Sequence, residues 1–302
     1  MRPEHRTSLR VRRAAALGGL LLGIAALVGI GFGVRSLAAD DSTAPPPTTQ
    51  AQTQTTTAPP PLAVLRIVFP EGFTRRQMAE RIAAVNEIAR KKRHVRTKLR
   101  PPEYLADTKK EPLPRDFRGA KPPDLEGFLF PATYDFTKRT TTQKLVDDQL
   151  DAFSKAWSSV DLRYADSKNL TAYDVLIIAS MIEKEVQVPR ERTLVAAVIY
   201  NRLRAGMALG IDATIRYGLG IPPTEPIHES ELNSDSPYNT RKFAGLPPTP
   251  IANPGLASIQ AAAHPAKVDY LYFVRKADCR SHFFTASKAK FDAYPRTGLQ
   301  CG

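Results

Sequence analysis

The sequence contains an apolar segment that ends in two glutamates, and this segment places the strongest constraint on the fold. Residues 176–182 carry no charge and are followed by Glu183 and Glu185. A helix this apolar belongs in a protein core. A carboxyl group held against apolar surface loses hydration, so its pKa rises and it can donate a proton near neutral pH. The alternative is a core helix that ends in a solvated, charged turn.

A second apolar segment lies near the N-terminus. Residues 14–34 contain no charge, and a helix of that length rises far enough to cross a bilayer. Arginines precede the segment in residues 1–13, which predicts a cytoplasmic basic tail, a single transmembrane helix and an extracytoplasmic remainder. We therefore expect a single-pass protein of the cell inner (cytoplasmic) membrane. The alternative is a cleaved signal peptide, with residues 36–38 as the cleavage site.

The remainder divides into a linker and a folded part. Residues 35–62 are rich in Pro and Thr and have too little apolar surface for a core, so they predict an extracytoplasmic linker. Residues 63–302 show short strand-like runs among longer helical patterns, which indicates an α+β domain. We divide it into a reduced N-terminal subdomain, residues 63–124, and a catalytic core, residues 125–302.

Local signals predict individual elements within this domain. Thr74, Thr171, and Thr141 or Thr142 are candidate helix caps, and Pro189 suits a first helical turn. Strands are expected at residues 64–69, 270–274 and 282–284, a short helix opened by Pro254, and an irregular connection or small insert at residues 101–124.

The formal charge of +13 does not indicate nucleic-acid binding, because its distribution is uneven. Arginines cluster before the N-terminal apolar segment, and a second basic block occupies residues 90–100. No zinc-finger or RNP-type motif is present. We expect the second block to be a solvated helix or loop, with contact to an anionic surface as the alternative.

Seven short motifs occur in order from residue 182 onward. They are Ile-Glu-Lys-Glu (182–185), Tyr-Asn-Arg-Leu (200–203), Asp-Ala-Thr-Ile-Arg-Tyr-Gly (212–218), Ser-Pro-Tyr-Asn-Thr (236–240), Gly-Leu-Pro-Pro-Thr-Pro-Ile-Ala-Asn-Pro (245–254), Ala-Ala-His-Pro (262–265) and Tyr-Leu-Tyr-Phe (270–273). Together they resemble the MltG (YceG-like) family of membrane-anchored endolytic murein transglycosylases. The resemblance extends over about residues 65–294.

The resemblance implies an enzyme that cleaves the bond between N-acetylmuramic acid and N-acetylglucosamine within nascent peptidoglycan strands. Its products would carry 1,6-anhydro ends, and cleavage would terminate strand elongation. Implied partners are the glycan strands, the cytoplasmic membrane and cell-wall synthases, with no nucleic acid. Ordinary glycosidases use two carboxyl groups. If the sugar's own 6-hydroxyl attacks, as the resemblance implies, one carboxyl group suffices and neither metal nor cofactor is required.

Two glutamates compete for the catalytic position. On a helix they differ by roughly 200°, so only one can face the substrate. Glu185 follows the apolar strip of Ile178, Met181 and Ile182, whereas Glu183 follows a smaller, partly polar strip. The resemblance also matches the second glutamate of the motif to the catalytic acid. We therefore predict Glu185 as the acid, with Glu183 as the alternate.

The other motif residues are predicted to bind substrate: Asn201, Arg202, Asp212, Thr214, Tyr217, Ser236, Tyr238 and Asn239. Arg202 suits a carboxylate or a peptide-stem carbonyl, or alternatively a structural ion pair. His264 is expected to be structural. Cys279 and Cys301 are a possible disulfide of an extracytoplasmic protein, and neither has a partner at zinc-site spacing.

The sequence departs from the family pattern in three places, one of which is Cys279 in the loop of residues 276–281, where many members carry glycines. Many members carry a LysM-like segment between anchor and catalytic part, and most or all of it is missing here. The family's Gln-Thr-Asp-Pro-Thr element reads Gly-Ile-Asp-Ala-Thr at residues 210–214. Two other functions stay open. One is a hydrolytic muramidase that uses water and a second carboxylate, Asp212 or Glu231. The other is a non-catalytic glycan-binding scaffold of the cell-wall machinery.

Overall fold

The computed structural model describes residues 62–109, 112–117 and 119–295. The helices of these residues are α1 (Arg75–Arg93), α2 (Pro101–Asp107), α3 (Thr142–Trp157), α4 (Arg163–Asp166), α5 (Ala172–Glu185), α6 (Arg192–Arg204), α7 (Asp212–Leu219), α8 (Glu229–Leu232), α9 (Leu256–Ala263) and α10 (Lys288–Ala293). The strands are β1 (Leu65–Val68), β2 (Thr133–Phe136), β3 (Tyr272–Arg275) and β4 (His282–Thr285). The two antiparallel pairs are β1–β2 and β3–β4. This confirms the predicted mixed α+β composition, mostly helical with short strands.

The apolar helix α5 lies in the core. Every residue from Val175 to Ile182 is buried, and α6 and α9 pack against the helix. Burying one large aliphatic side chain contributes about 1.5–3 kcal/mol, so this segment is a major source of stability. Ser180 keeps its hydroxyl paired there, since Oγ donates to the Ile177 carbonyl at 2.7 Å and accepts from the Ile251 N–H at 3.0 Å. The predicted core helix is confirmed.

The strand β1 pairs with β2, and α1 packs against β1. Leu65 lies opposite Phe136, so Ile67 and Phe136 enter the same core. Thr74 caps α1 in a capping box with Gln77, which confirms the predicted cap. The strand β2 was not predicted, because only four residues after a proline show its alternation of exposed and buried side chains.

Helix caps elsewhere follow local sequence closely. Thr141 accepts from the Lys144 N–H, and Thr171 forms the predicted capping box with Asp174. Pro189 begins a 3-10 turn, Pro189–Glu191, that leads into α6. The cap of α9 is Gly255, one residue after the predicted Pro254.

The described residues between 101 and 124 contain more regular structure than predicted. The helix α2 starts at Pro101, and a 3-10 turn covers Arg115–Phe117. Tyr104 and Phe117 are buried, and the Tyr104 hydroxyl donates to Gln149 Oε1 at 2.8 Å. The prediction of an irregular connection is therefore wrong for this helix. Proline is accepted in the first turn of a helix, where its missing N–H has no intrahelical partner to lose.

Several predictions fall outside the described residues or on the surface. The basic tail, the apolar segment 14–34, most of the linker and Cys301 lie outside the described ranges. Among the helices that are described, none combines the length and apolar character needed to cross a bilayer. The Arg and Lys side chains of residues 90–100 are exposed at the end of α1 and just beyond it, which confirms the prediction of a solvated segment.

Candidate active site

Glu185 is the last residue of α5 and is half-buried. The helix stops there because Val186 adopts extended backbone, with φ −98° and ψ 120°. Val188 is extended too, as expected for a residue that precedes proline. The apolar helix thus ends at the carboxyl group that we predict to be the acid.

The surroundings of Glu185 favour its neutral form. Burial raises the pKa of the Glu185 carboxyl to about 7, and the nearby Asp212 carboxylate adds to the rise. The guanidinium groups of Arg275 and Arg241, together with the backbone N–H of Ala213, act in the opposite direction. A carboxyl that titrates near neutral pH can serve first as a general acid and then as a general base.

The start of α7 brings Asp212 and Ala213 to this carboxyl group. Gly210 adopts φ +64° before the helix, and its N–H donates to the Thr240 carbonyl at 2.8 Å. Thr214 is fully buried, and its Oγ1 lies 3.0 Å from Thr240 Oγ1. Thr214 therefore fixes the start of α7 against residues 239–241.

That neighbouring segment carries Arg241, which sequence reasoning missed. Arg241 Nε donates to Asp212 Oδ1 at 2.5 Å. Asn239 is buried and shapes the segment: its Nδ2 donates to the carbonyls of Leu232 and Ser234, and its Oδ1 accepts from the Arg241 N–H. The Asn–Thr motif at 239–240 was visible in sequence, but no signal marked the arginine that follows it.

Asn201 and Arg202 also bind backbone. Asn201 Nδ2 donates to the carbonyls of Val268 and Tyr270, both at 2.9 Å. Arg202 Nε donates to the Leu271 carbonyl and Nη1 to the Leu209 carbonyl, each at 2.6 Å. The Arg202 guanidinium also lies 5.5 Å from the centre of a tyrosine ring of β3. The two side chains thus join α6 to the approach of β3 and to the segment before α7.

The β3–β4 hairpin supplies Arg275, the second cation near Glu185 that sequence reasoning missed. Arg275 pairs in register with His282. The buried His282 ring is held by Glu191, with Nδ1 and Oε2 2.8 Å apart. The His282 backbone N–H also donates to the same carboxylate. This buried contact fixes the hairpin to the start of α6.

Tyr217 and Tyr238 form an aromatic pair beside α7. Their ring centres lie 5.2 Å apart, and both side chains are half-buried. Gly218 permits the contact, because a Cβ there would lie 2.5 Å from the Cβ of Tyr238. Tyr217 follows Ala213 by four residues, so it lies on the same face of α7 about one turn further along. Half-buried tyrosines present a flat apolar face and a hydroxyl, which suits sugar rings.

Two further side chains complete the Tyr238 environment. The Tyr238 hydroxyl is 2.8 Å from Thr249 Oγ1, and Ser236 Oγ accepts from the Tyr238 N–H at 3.3 Å. Ser236 is half-buried. Of the predicted binding residues, Asp212, Tyr217 and Tyr238 thus present polar or aromatic groups along α7, whereas Asn201, Arg202, Thr214 and Asn239 hold the surrounding backbone.

Glu183 lies elsewhere. Its Oε2 accepts from the Gly255 N–H at 3.1 Å, so this carboxylate caps the N-terminal end of α9, where negative charge is favourable. The Glu71 carboxyl lies beside it, in the space that a Cβ on Gly255 would occupy. The alternate acid, Glu183, is therefore bonded to the start of α9, whereas the Glu185 carboxyl meets the start of α7 at Ala213.

The remaining sequence candidates have simple placements. His264 is exposed after α9, and Glu231 Oε2 accepts from the His228 N–H in a capping box of α8. Cys279 lies in the β3–β4 turn with φ +57°, and the predicted disulfide stays a prediction. Within the described ranges, no group of three or more His, Cys, Asp or Glu side chains is arranged to hold a metal ion.

Comparison with known proteins identifies a family model that matches this chain and several similar proteins. A family model described as the YceG-like family matches residues 47–296. A Bacillus subtilis protein named endolytic murein transglycosylase is 38% identical over 221 residues, covering 70% of this chain and 59% of the relative. A Streptococcus pneumoniae protein of the same name is 41% identical over 157 residues, covering 50% of this chain and 28% of the relative.

A solved structure shows the same fold. The crystal structure of a YceG-like protein from Listeria monocytogenes superposes with a TM-score of 0.61 and 31% sequence identity, covering 75% of each chain. The chain spans only part of its curated relatives: 59% of the length of the Bacillus subtilis protein and 28% of the length of the Streptococcus pneumoniae protein.

Proposed function

Because the chain belongs to the YceG-like family, we propose that it is a lytic transglycosylase that cleaves the glycan strands of peptidoglycan. The names of its curated relatives support this activity. The observation that carries the proposal is Glu185, a half-buried carboxyl group at the end of an apolar helix whose pKa is raised to about 7. The reaction is an internal cleavage between N-acetylmuramic acid and N-acetylglucosamine.

The chemistry requires one carboxyl group with two successive roles. Neutral Glu185 protonates the glycosidic oxygen as the bond between that oxygen and the anomeric carbon breaks. The 6-hydroxyl oxygen of the same N-acetylmuramic acid then bonds to the anomeric carbon, and its proton passes to the Glu185 carboxylate. The products are a free hydroxyl on one fragment and a 1,6-anhydro end on the other, and Glu185 returns to its neutral form. Because the nucleophile belongs to the sugar, its effective concentration is high.

The experiment is digestion of purified murein by the full-length protein in detergent. Mass spectrometry of the fragments should find 1,6-anhydro ends, which are one water lighter than hydrolysed ends. Glu185→Gln removes the proton but keeps the shape, so it should bind glycan and release no fragments. A folded Glu185→Gln protein that cleaves at the wild-type rate would refute the assignment of the acid. Glycan binding without cleavage by the wild type would indicate the scaffold function.

Hydrolysis is the second candidate, because a second carboxylate, Asp212, lies near Glu185. A water molecule activated by Asp212 would yield reducing ends in place of anhydro ends. The Asp212 carboxylate is already held in an ion pair with Arg241, with Nε 2.5 Å from Oδ1, whereas the 6-hydroxyl nucleophile is part of the substrate itself, so we favour the intramolecular route. Mostly reducing ends in the digest would reverse this preference.

We further propose that residues 14–34 anchor the enzyme in the cytoplasmic membrane, with the catalytic part outside and cell-wall synthases nearby. The uncharged segment and the arginines before it support this topology. Cleavage at that position would terminate the elongation of new strands. Cells that carry only the Glu185→Gln protein should therefore make longer glycan strands, and protease added to spheroplasts should digest the catalytic part. Unchanged strand lengths would contradict the terminator role.

A further inference from the structure

The ion pair between Asp212 and Arg241 lies beside Glu185. Asp212 begins α7, and the next residue, Ala213, directs its N–H at the Glu185 carboxyl. We propose that Arg241 is a positioning residue: its guanidinium neutralises Asp212, so that Glu185 can give up its proton during cleavage and recover it from the 6-hydroxyl. The inference rests on the proposed function for its role in the reaction, but the coupling between these side chains exists without substrate.

The two members of the pair are fixed relative to each other. Thr240, which precedes Arg241, has Oγ1 3.0 Å from Thr214 Oγ1 of α7 and accepts from the Ile211 N–H at 3.1 Å. Asn239 Oδ1 accepts from the Arg241 N–H at 3.1 Å. Thr240 therefore bonds the segment that carries the guanidinium to residues on both sides of Asp212, Ile211 and Thr214.

Charged groups face Glu185 from three other elements and from α5 itself. Asp212 comes from α7, Arg241 from the segment after Asn239, Arg275 from β3, and Lys184 from α5. The Lys184 ammonium donates to the Gly72 carbonyl at 3.3 Å. Arg241 differs from the other cations because it is bonded to the carboxylate that opposes Glu185 ionisation. Removing Arg241 takes away one positive charge and leaves the negative charge of Asp212 unpaired. Both changes disfavour the ionised form of Glu185.

The sign of the effect follows from the role of Glu185 as an acid. The first step requires the neutral carboxyl, so activity falls as pH rises through its pKa. Loss of Arg241 makes the ionised form of Glu185 less favourable. Arg241→Gln should therefore move the basic limb of the kcat/KM profile upward by about 0.5–1 pH unit, since the pair is partly exposed and screened. It should also lower kcat a few-fold in the acidic plateau, because Glu185 becomes a weaker acid.

Asp212→Asn should have the opposite effect, because it removes the carboxylate that disfavours ionisation of Glu185. Its basic limb should move to lower pH by a comparable amount. The double variant should lie between the two single variants, since the lost charges cancel in part. Arg241→Lys keeps the cation and should restore most of the wild-type profile. A merely structural role of Arg241 predicts none of these opposed shifts.

Two readouts on the full-length protein in detergent micelles test the proposal. One is an NMR titration of ¹³C-labelled glutamate carboxyl groups, with the Glu185 signal assigned by its loss in Glu185→Gln. The other is the pH dependence of kcat/KM on purified murein. Arg216→Gln is the matched control: it removes an arginine of α7, the helix that begins at Asp212, whose Nη1 donates to the carbonyls of Pro222 and Glu225. The control should leave the Glu185 titration unchanged.

The outcomes separate this inference from the proposed function. If Arg241→Gln folds, as judged by thermal unfolding, and Glu185 titrates as in the control, the inference is wrong. If the wild type forms anhydro ends while that titration is unmoved, the proposed function stands alone. If the wild type does not cleave murein but the titration shifts as expected, the coupling is real and the proposed function fails.

Discussion

Two glutamates lie at opposite ends of α7 and differ in their access to solvent. Glu185 meets the start of the helix at Ala213, whereas Glu126 accepts from the hydroxyl of Tyr217, near its end, at 3.3 Å. Burial raises the pKa of both, to about 7 for Glu185 and about 8 for Glu126. Glu185 is half-buried, but Glu126 is only 3% exposed. A raised pKa alone therefore does not identify the reactive carboxyl group.

Hydrogen bonding explains the different roles. Glu126 accepts from the Arg75 N–H at 3.1 Å and from Asn253 Nδ2 at 2.7 Å. Asn253 Oδ1 in turn accepts from the N–H groups of Gly127 and Leu129, both at 2.9 Å. Glu126 thus joins the start of α1 to two irregular segments of the core. Glu185 is instead surrounded by the charged groups of Asp212, Arg241 and Arg275. The proposed mechanism therefore gives the chemistry to Glu185 and a structural role to Glu126.

The strongest test of this comparison is the activity of two matched Glu→Gln variants. Glu185→Gln should lower turnover of murein by about 10³-fold, since it removes the general acid and base. Glu126→Gln should keep turnover within about tenfold, because Glu126 touches no reacting atom in the proposed mechanism. Release of anhydro fragments measures both, with thermal unfolding as the check on folding. Equal losses in the two variants would remove the distinction.

Of the two glutamates compared, only Glu185 was identified from the sequence. The core helix α5 and its capping box depend on apolar spacing and short-range caps, which are local signals. The choice of Glu185 over Glu183 depends on apolar spacing and on the family resemblance. The Glu183 carboxylate accepts from the Gly255 N–H, and the choice of Glu185 stays a prediction. Glu126, Arg241 and Arg275 carried no such signal, because their importance arises from contacts with residues far away in the chain.

Predicted binding residues show a second limit of sequence reasoning. The amide of Asn201 and the amide of Asn239 each bind two backbone carbonyls. Irregular segments leave carbonyls without partners, and buried side-chain donors satisfy them. An asparagine that recognises a sugar and one that holds a loop look alike in sequence. Their assignment as substrate-binding residues stays a prediction, and the structure adds the hydrogen bonds that such a role would have to accommodate.

The next largest effect concerns stability. Glu126→Ala should lower the free energy of unfolding by about 2–4 kcal/mol, because it leaves buried N–H donors without an acceptor. Glu185→Ala should change it by less than about 1 kcal/mol, since this carboxyl is half-buried and has few fixed partners. Urea unfolding of the full-length protein in detergent compares the two variants. A larger loss in Glu185→Ala would reverse the assignment of structural and reactive roles.

The pH dependence of stability should carry the signature of Glu126. Its pKa rises from 4.5 to about 8 on folding, so between these values the folded protein holds more protons than the unfolded chain. Its contribution to stability is complete below pH 4.5 and is lost as pH rises toward 8, by at most about 1.4 kcal/mol per pH unit. Glu126→Gln does not titrate, so its unfolding free energy should decline less over this window. Parallel curves for the two proteins would refute this coupling.

The smallest expected effect belongs to the Tyr217 hydroxyl, which connects the structural carboxyl to the aromatic pair. Tyr217→Phe should lower the free energy of unfolding by about 0.5–1.5 kcal/mol, because Glu126 keeps its other donors. The KM of Tyr217→Phe for murein should rise a few-fold, while its kcat should change little because the ring stays against Tyr238. Tyr238→Phe is the matched control, because its hydroxyl contacts Thr249 and not Glu126. A double-mutant cycle with Glu126→Gln should give a coupling energy for Tyr217 and none for Tyr238. Equal coupling for both tyrosines would mean that the carboxyl group stabilises α7 as a whole and does not position Tyr217 in particular.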